Sequence, residues 1–470
     1  MSSICYPVPA LLLLAGALAA ADTPTQVPRG GTTALDGGNG LAPITDFGAG
    51  RAAAGAARQV VVQGLIDLDV LQRNNYTDSN KDGSDHRGYG TMRAELGLKI
   101  KMDERATAVI GFGYNADMGD YGVTNTRPGV VAPPSNESQI NSEKSQLVLK
   151  DAYVNLKEFL GFEELGVIAG RTPVSWNMVA DRGAFMFDSR ADDPAIGSWD
   201  GVRASYSGFD VMVISPWIYR LPDASTIFGA TLDWKPATAD GDKVFVTLNA
   251  SEQVEPVVGG VRKGDNLRTY GGGIDWRSGE TGLWLEVGFQ QGDAGSDASF
   301  GGYGGETGLD WQFSQYGKGR LQLIAGYMTG DDPATTDVEG FVNEWESISD
   351  TLIVENEKYG ELSRLTVGNL ESLKFRIGTG FDERDKVRID STLAYYRLSE
   401  AVVTDGSRSF GTELDLTLRW QYTYNAQIRL FGGLLKPGDG LGDAQEIAKP
   451  GTITGNDLIW LGGANINVAF

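Results

Sequence analysis

Apolar and polar residues alternate along most of the chain after Gln59, in segments of roughly ten residues. The clearest segment runs from Thr412 to Tyr424. Its apolar face carries Leu414, Leu416, Leu418, Trp420, Tyr422 and Tyr424, and its polar face carries Glu413, Asp415, Thr417, Arg419, Gln421 and Thr423. Because successive side chains of a β-strand point to opposite faces of a sheet, this period predicts strands with one apolar face and one wet face.

The same pattern recurs often enough to predict roughly eighteen strands. They run near residues 60–71, 89–102, 105–116, 145–156, 165–172, 200–207, 209–217, 226–235, 243–250, 267–277, 281–291, 300–313, 319–329, 371–381, 386–398, 410–422, 425–435 and 457–470. The fold class is therefore all-β. A soluble sandwich could bury the apolar faces as well, so the alternation alone does not choose between a sandwich and a barrel.

The lengths of the connections between the predicted strands favour the barrel, because short and long connections alternate along the chain. Short connections include 103–104, 207–208 and 278–280, and the longest are 117–144 and 330–370. A transmembrane antiparallel barrel with an even number of strands and both termini in the periplasm has short periplasmic turns and long external loops. The last predicted strand ends at an aromatic residue, Phe470. This ending resembles the sorting signal that the barrel-assembly machinery reads on outer-membrane barrels.

An apolar run from Ala10 to Ala21 predicts a secretory signal peptide that is cleaved before Asp22. The run is shorter than the roughly 18 residues that a spanning helix needs. Residues 1–9 lack the usual Lys or Arg. The predicted organisation is a signal peptide at residues 1–21, a flexible segment at 22–58 and the barrel at 59–470. We expect the barrel to lie in the bacterial outer membrane, in contact with its lipid.

The amino-acid composition limits which functions and partners are possible. The net charge of −22 argues against a nucleic-acid partner, whose phosphates require a basic surface. The single cysteine, Cys5, lies in the predicted signal, so the mature chain would have no thiolate metal site. The single histidine, His86, has no second histidine to complete a Ser-His arrangement or a metal site. We therefore expect no enzymatic activity, and a barrel enzyme is the least favoured function.

Short motifs in the middle of the chain resemble the alginate-export family of outer-membrane barrels. The motifs are Gly170-Arg171, Asp181-Arg182, Arg190, Trp199-Asp200-Gly201-Val202-Arg203, Gly326-Tyr327, Gly330-Asp331-Asp332, Gly411-Thr412-Glu413-Leu414-Asp415 and Lys436-Pro437-Gly438-Asp439. They cover roughly residues 145 to 445. The resemblance implies an eighteen-stranded monomeric barrel whose lumen is lined by Arg and Lys, through which an anionic polysaccharide leaves the cell.

Strand parity and the family motifs together give a set of pore-lining or substrate-binding candidates. These are Arg171, Arg182, Arg190, Arg203, Arg320, Lys374, Arg376, Arg388, Arg419, Arg429, Glu413 and Asp415. Fixed guanidinium groups in a narrow aqueous path bind carboxylates and favour anions. Acids and bases that face each other can also simply pair across the wall. Two functions stay open, a channel for an anionic polysaccharide or other anionic solute, and a general or sugar-selective porin.

Two loops carry further expectations. The connection 330–370 is too long for a simple turn and predicts a short helix near 342–352, but its sequence does not say whether it folds into the pore. Asp78, Asn80 and Asp82 match the opening of a calcium loop, although Tyr89 replaces the acidic residue at the twelfth position. A plain polar hairpin tip is favoured over calcium there, and we expect no other cofactor.

Overall fold

The computed structural model describes most of the chain from Gln59 onward. The described residues are 59–76, 79–80, 87–118, 147–176, 185–189, 197–236, 238, 242–258, 261–313, 318–343, 349–356, 359, 362–365, 368–381, 386–448 and 454–470. The predicted signal peptide and N-terminal segment, residues 1–58, lie outside them. The predicted barrel, residues 59–470, accounts for all of the described structure.

Eighteen antiparallel strands form the wall of one closed barrel, as the sequence predicts. They are β1 (Gln59–Asn74), β2 (Arg87–Lys101), β3 (Ala106–Met118), β4 (Leu147–Leu156), β5 (Leu165–Thr172), β6 (Trp199–Phe209), β7 (Met212–Arg220), β8 (Thr226–Trp234), β9 (Lys243–Val254), β12 (Asn266–Ser278), β13 (Thr281–Gly295), β15 (Tyr303–Phe313), β16 (Gly319–Met328), β17 (Glu371–Gly380), β18 (Val387–Arg397), β19 (Ser409–Thr423), β20 (Ala426–Pro437) and β21 (Ile459–Ala469). Three short strands lie in connections: β10 (Val257–Val258), β11 (Val261–Arg262) and β14 (Ala298–Phe300).

The barrel closes where the last wall strand meets the first. β21 pairs antiparallel with β1, in a register that runs from Leu65 opposite Ala469 to Asn74 opposite Trp460. The main chains of Gly64 and Phe470 exchange two further hydrogen bonds, with N···O distances of 2.7 and 2.9 Å. Closure pairs the outermost strands of the sheet, which a membrane requires because lipid offers no hydrogen-bond partner to a free edge.

The wall is apolar outside and polar inside. On β13, Leu283, Leu285 and Val287 are more than 40% exposed, whereas Glu286 and Gln290 between and after them are 2% exposed. A soluble protein buries the first set and exposes the second. The inverted pattern is stable only where hydrocarbon covers the outer face and where polar groups partner one another inside.

Long connections fill part of the lumen. We call residues 329–370, between β16 and β17, the inner loop, because its residues Leu352, Ile353 and Val354 are fully buried in an apolar cluster with wall residues such as Leu435. The sequence does not say whether this loop folds into the pore. In the structure, the described part of the loop folds inward. Within the predicted helix 342–352, residues 344–348 lie outside the described residues and the others are not helical.

Among the described residues, a ten-residue α-helix lies instead in the connection between β20 and β21. Helix α1 (Asp439–Ala448) buries Leu441, Ala444 and Gln445 at helical spacing. The side chain of Gln445 accepts a hydrogen bond of 2.8 Å from Ser79, which ties the helix to the β1–β2 connection. Among the described residues, no helix is long and apolar enough to cross a membrane.

Exchanging an outward leucine for arginine tests the orientation of the wall. Leu416 lies at the middle of β19 and is 55% exposed, so Leu416→Arg places a charge near the centre of the bilayer. We expect the free energy of unfolding in lipid vesicles to fall by about 2–4 kcal/mol, measured by guanidinium titration of tryptophan fluorescence.

Leu147→Arg is the matched control, because Leu147 starts β4 at the rim of the barrel. A charge at the interface costs about 0–1 kcal/mol. Equal losses for the two variants would contradict an outward position of Leu416 at the middle of the bilayer.

Candidate functional site: the lumen wall and the inner loop

Three arginines form a row across neighbouring strands on the inner face of the barrel. Arg388 on β18 lies directly opposite Arg419 on β19, and Arg419 lies opposite Arg429 on β20. All three side chains are mostly buried, at 6–7% exposed. The strand parity that predicted them as inward residues therefore agrees with where the structure places them.

Acids of the same wall pair with two of these arginines, Arg388 and Arg419, and with Arg320 on β16. Arg388 and Arg419 share one carboxylate, that of Asp390, with nearest N···O distances of 2.9 and 3.1 Å. Arg320 makes a bidentate contact with Asp310, with both N···O distances at 2.8 Å. The three residues Arg388, Arg419 and Asp390 together carry one excess positive charge.

Two other predicted cations hold the inner loop. The ammonium group of Lys374 on β17 contacts three carboxylates, those of Glu306 on β15 and of Asp350 and Glu355 in the loop, at 2.8–2.9 Å. The guanidinium group of Arg376 donates to the carboxylate and to the carbonyl of Asp350, at 2.8 and 2.9 Å. Burial raises the pKa of Glu355, while the charge of Lys374 opposes this shift.

The two predicted acids of β19 hold the same loop through its backbone. Glu413 accepts hydrogen bonds from the N–H groups of Ile353 and Val354, at 2.6 and 3.1 Å, and Asp415 accepts one from the N–H of Leu352, at 3.0 Å. Three successive N–H groups that point to carboxylates form a small anion-binding concavity. Glu413 and Asp415 thus fix the tip of the loop against the wall.

A tyrosine extends this attachment to the row of arginines. The hydroxyl of Tyr359 donates to Asp69 on β1 at 2.8 Å and accepts a hydrogen bond from Arg429. Its ring stacks on Phe431, with 4.5 Å between centroids. Burial raises the pKa of Tyr359 far above its ordinary value, so the phenol is neutral and can donate to the carboxylate.

A second connection packs aromatic side chains into the lumen. Trp176, between β5 and β6, lies against Trp217 of the wall with 4.3 Å between ring centroids. Phe185 in the same connection stacks on Phe341 of the inner loop at 5.2 Å. The two inward connections therefore contact each other, and movement of one must disturb the other.

The remaining predicted site residues are more scattered. Arg203 lies on the inner face and donates to Ser215 at 3.4 Å. Arg182 and Arg190 lie outside the described residues, as do Asp78 and Asp82 of the calcium prediction, while Asn80 is described. Within the described part of the chain, no group of three or more His, Cys, Asp or Glu residues is placed to hold a metal ion. Because Asp78 and Asp82 lie outside the described residues, the calcium site near Asn80 stays a prediction.

Arg171 is a correction, because it does not line the lumen. It lies opposite Asp200 and makes a bidentate ion pair with it, at 2.7 and 2.8 Å. Asp200 shares a strand face with Val202, which is 43% exposed on the outside of the barrel. Because cross-strand partners share a face, Arg171 also points outward, near the end of β5 where the long connection begins.

Five residues of the site, all acids except one tyrosine, are absent from the residues predicted from the sequence. Glu306 and Asp310 lie on the inner face of β15, and the alternation along that strand could have identified them. Asp350, Glu355 and Tyr359 belong to an irregular loop, where no periodic pattern says which way a side chain points. Only the folded structure brings them to Lys374 and Arg429.

Solved barrels of low sequence identity share this fold. OccAB4 of Acinetobacter baumannii superposes with a TM-score of 0.55 and 11% identity, over 88% of this chain and 98% of that one. OccK11 (OpdR) of Pseudomonas aeruginosa gives 0.53 and 10%, over 87% and 96%. OccK2 (OpdF) of Pseudomonas aeruginosa, solved in complex with glucuronate, gives 0.53 and 10%, over 88% and 98%.

Among curated protein sequences, none matches this chain. The family described as alginate export matches residues 89–452 of the 470, a span that runs from β2 to the connection before β21. Together with the closed barrel and its porin-like structural neighbours, this match supports an outer-membrane channel. The chain belongs to the alginate-export family.

Proposed function

We propose that this barrel is a channel for an anionic polysaccharide, or for smaller anionic solutes of the same chemistry, and that its arginine row sets the preference. The observation that carries the proposal is the alignment of Arg388, Arg419 and Arg429 on three neighbouring strands of the inner face. Guanidinium groups held at fixed positions bind carboxylates in a planar, bidentate geometry.

The chemistry of uronates fits such a wall. An alginate chain is a polymer of uronate sugars, and each unit carries one carboxylate and several hydroxyls. A barrel of the same fold has been solved with a uronate, glucuronate. Arg388 and Arg419 are partly neutralised by Asp390, and Arg320 by Asp310. Partly neutralised cations hold an anion less tightly, which would let a polymer exchange one contact for the next.

Removing one arginine of the row should weaken anion preference. Arg419→Gln leaves Arg388 and Asp390 as a neutral pair, so the local excess positive charge is lost. In planar bilayers with a potassium chloride gradient, we expect the wild type to prefer anions. The variant's ratio of chloride to potassium permeability should fall about two- to threefold.

Arg105→Gln is the matched control, because Arg105 lies in a short turn, is 63% exposed at its side chain and pairs with Glu158. Its permeability ratio should stay at the wild-type value. A wild type that prefers cations, or equal ratios for Arg419→Gln and the wild type, would contradict the proposal.

Solute uptake separates this function from that of a general sugar porin. Proteoliposomes should take up labelled glucuronate at least about threefold faster than labelled glucose, a neutral sugar of similar size, since fixed cations favour the anion. Protein-free liposomes supply the background rate. Equal rates for the two sugars would favour the sugar-porin alternative.

A further inference from the structure

The part of the wall that holds the inner loop combines cations and carboxylates in two rows. Lys374 on β17 lies in register with Ala394 and then Glu413, and Arg376 lies in register with Thr392 and then Asp415. Adjacent strands are about 4.8 Å apart, so the cation and the carboxylate of each row lie roughly 10 Å apart at the backbone. All of these side chains face the lumen.

The inner loop fills both halves of this surface with complementary groups. The carboxylate of Asp350 bridges the two cations, with one oxygen 2.9 Å from Lys374 and the other 2.8 Å from Arg376. Backbone N–H groups a few residues further on donate to Glu413 and Asp415. A uronate sugar carries the same combination, one carboxylate that accepts and several hydroxyls that donate.

Lys374 and Arg376 each have partners on the wall besides their partners Asp350 and Glu355 in the loop. Arg376 also donates to Gln322 on β16 and to Thr392 on β18, at 3.2 and 3.3 Å. Lys374 donates to Glu306 on β15 at 2.9 Å. Because these partners belong to the wall, both cations would stay aimed into the lumen if Asp350 withdrew.

We propose that Lys374 and Arg376 form a carboxylate-binding subsite of the channel, that Asp350 occupies it as an internal ligand, and that a uronate oligosaccharide displaces Asp350 and releases the inner loop. The inference rests on the proposed function for the nature of the solute. It adds the position where the solute binds and the contact that the solute must replace.

Labelling of a buried cysteine reports release of the loop. The sequence has no cysteine after Cys5, and Thr351 is fully buried next to Asp350, so Thr351→Cys supplies one reporter in the barrel. A charged methanethiosulfonate reagent labels it only when the loop leaves the wall. We expect a uronate hexasaccharide to accelerate labelling about tenfold and maltohexaose, which is neutral, to have no effect.

Two variants in the Thr351→Cys background separate a subsite from a mere attachment point. Asp350→Asn removes the internal carboxylate, so labelling without sugar should rise about tenfold and the hexauronate concentration that half-blocks the current should fall about tenfold. Arg376→Gln should also raise labelling, but it should raise the half-blocking concentration, because the wall loses part of its own site. Asp337→Asn, in the same loop but bonded to Ser299, should match the background.

The outcomes distinguish this inference from the proposed function. Half-blocking concentrations that shift in the same direction for Asp350→Asn and Arg376→Gln would overturn the subsite and leave the loop as a structural attachment. Failure of the hexauronate to accelerate labelling in a barrel that prefers anions would overturn the subsite and keep the anion channel. Acceleration in a barrel without anion preference would support the subsite and refute the proposed function.

Discussion

The requirement that every backbone N–H and C=O inside a bilayer be paired governs this structure. It makes the sheet close, through the pairing of β21 with β1. Because consecutive strands are joined alternately at the two ends of the barrel, neighbouring strands are antiparallel. Closure in turn gives each strand one face toward lipid and one toward an enclosed space. The alternation of Leu416 outward and Asp415 inward on β19 is a direct result.

The enclosed space then imposes a second requirement, because a buried charge without a partner is costly. The wall meets it partly with its own pairs, such as Arg320 with Asp310. The rest of the partners come from the inner loop, whose Asp350 contacts Lys374 and Arg376 and whose backbone contacts Glu413. The charge pattern of the wall therefore selects where this loop lies.

The sequence predicts the wall well because period-two alternation depends only on local spacing. The strand near 281–291 and the inward position of Arg388 follow from that period alone. The prediction for Arg171 is wrong because the family motif contains no strand register, and the register puts Arg171 beside the outward Asp200. The positions of Asp350 and Tyr359 depend on contacts with strands far away in the chain, and no local pattern contains that information.

Helix α1 is a second element that the local sequence pattern does not predict. Its ten residues include Gly440 and Gly442, so its own helical propensity is low. What stabilises the helix is the burial of Leu441 against the wall cluster and the contact of Gln445 with Ser79, both made by distant residues. A segment of this kind is interpreted as a loop until its neighbours are known.

The seam between β1 and β21 has a consequence for biogenesis. It joins Leu65 to Ala469, so the hydrogen-bonding groups along one side of β1 find their partners only after the ribosome has made the last strand. Until then β1 is an open edge, the kind of surface on which chains add to one another and aggregate. An unfinished chain therefore exposes this edge to its copies, and only the pairing of β21 with β1 covers it.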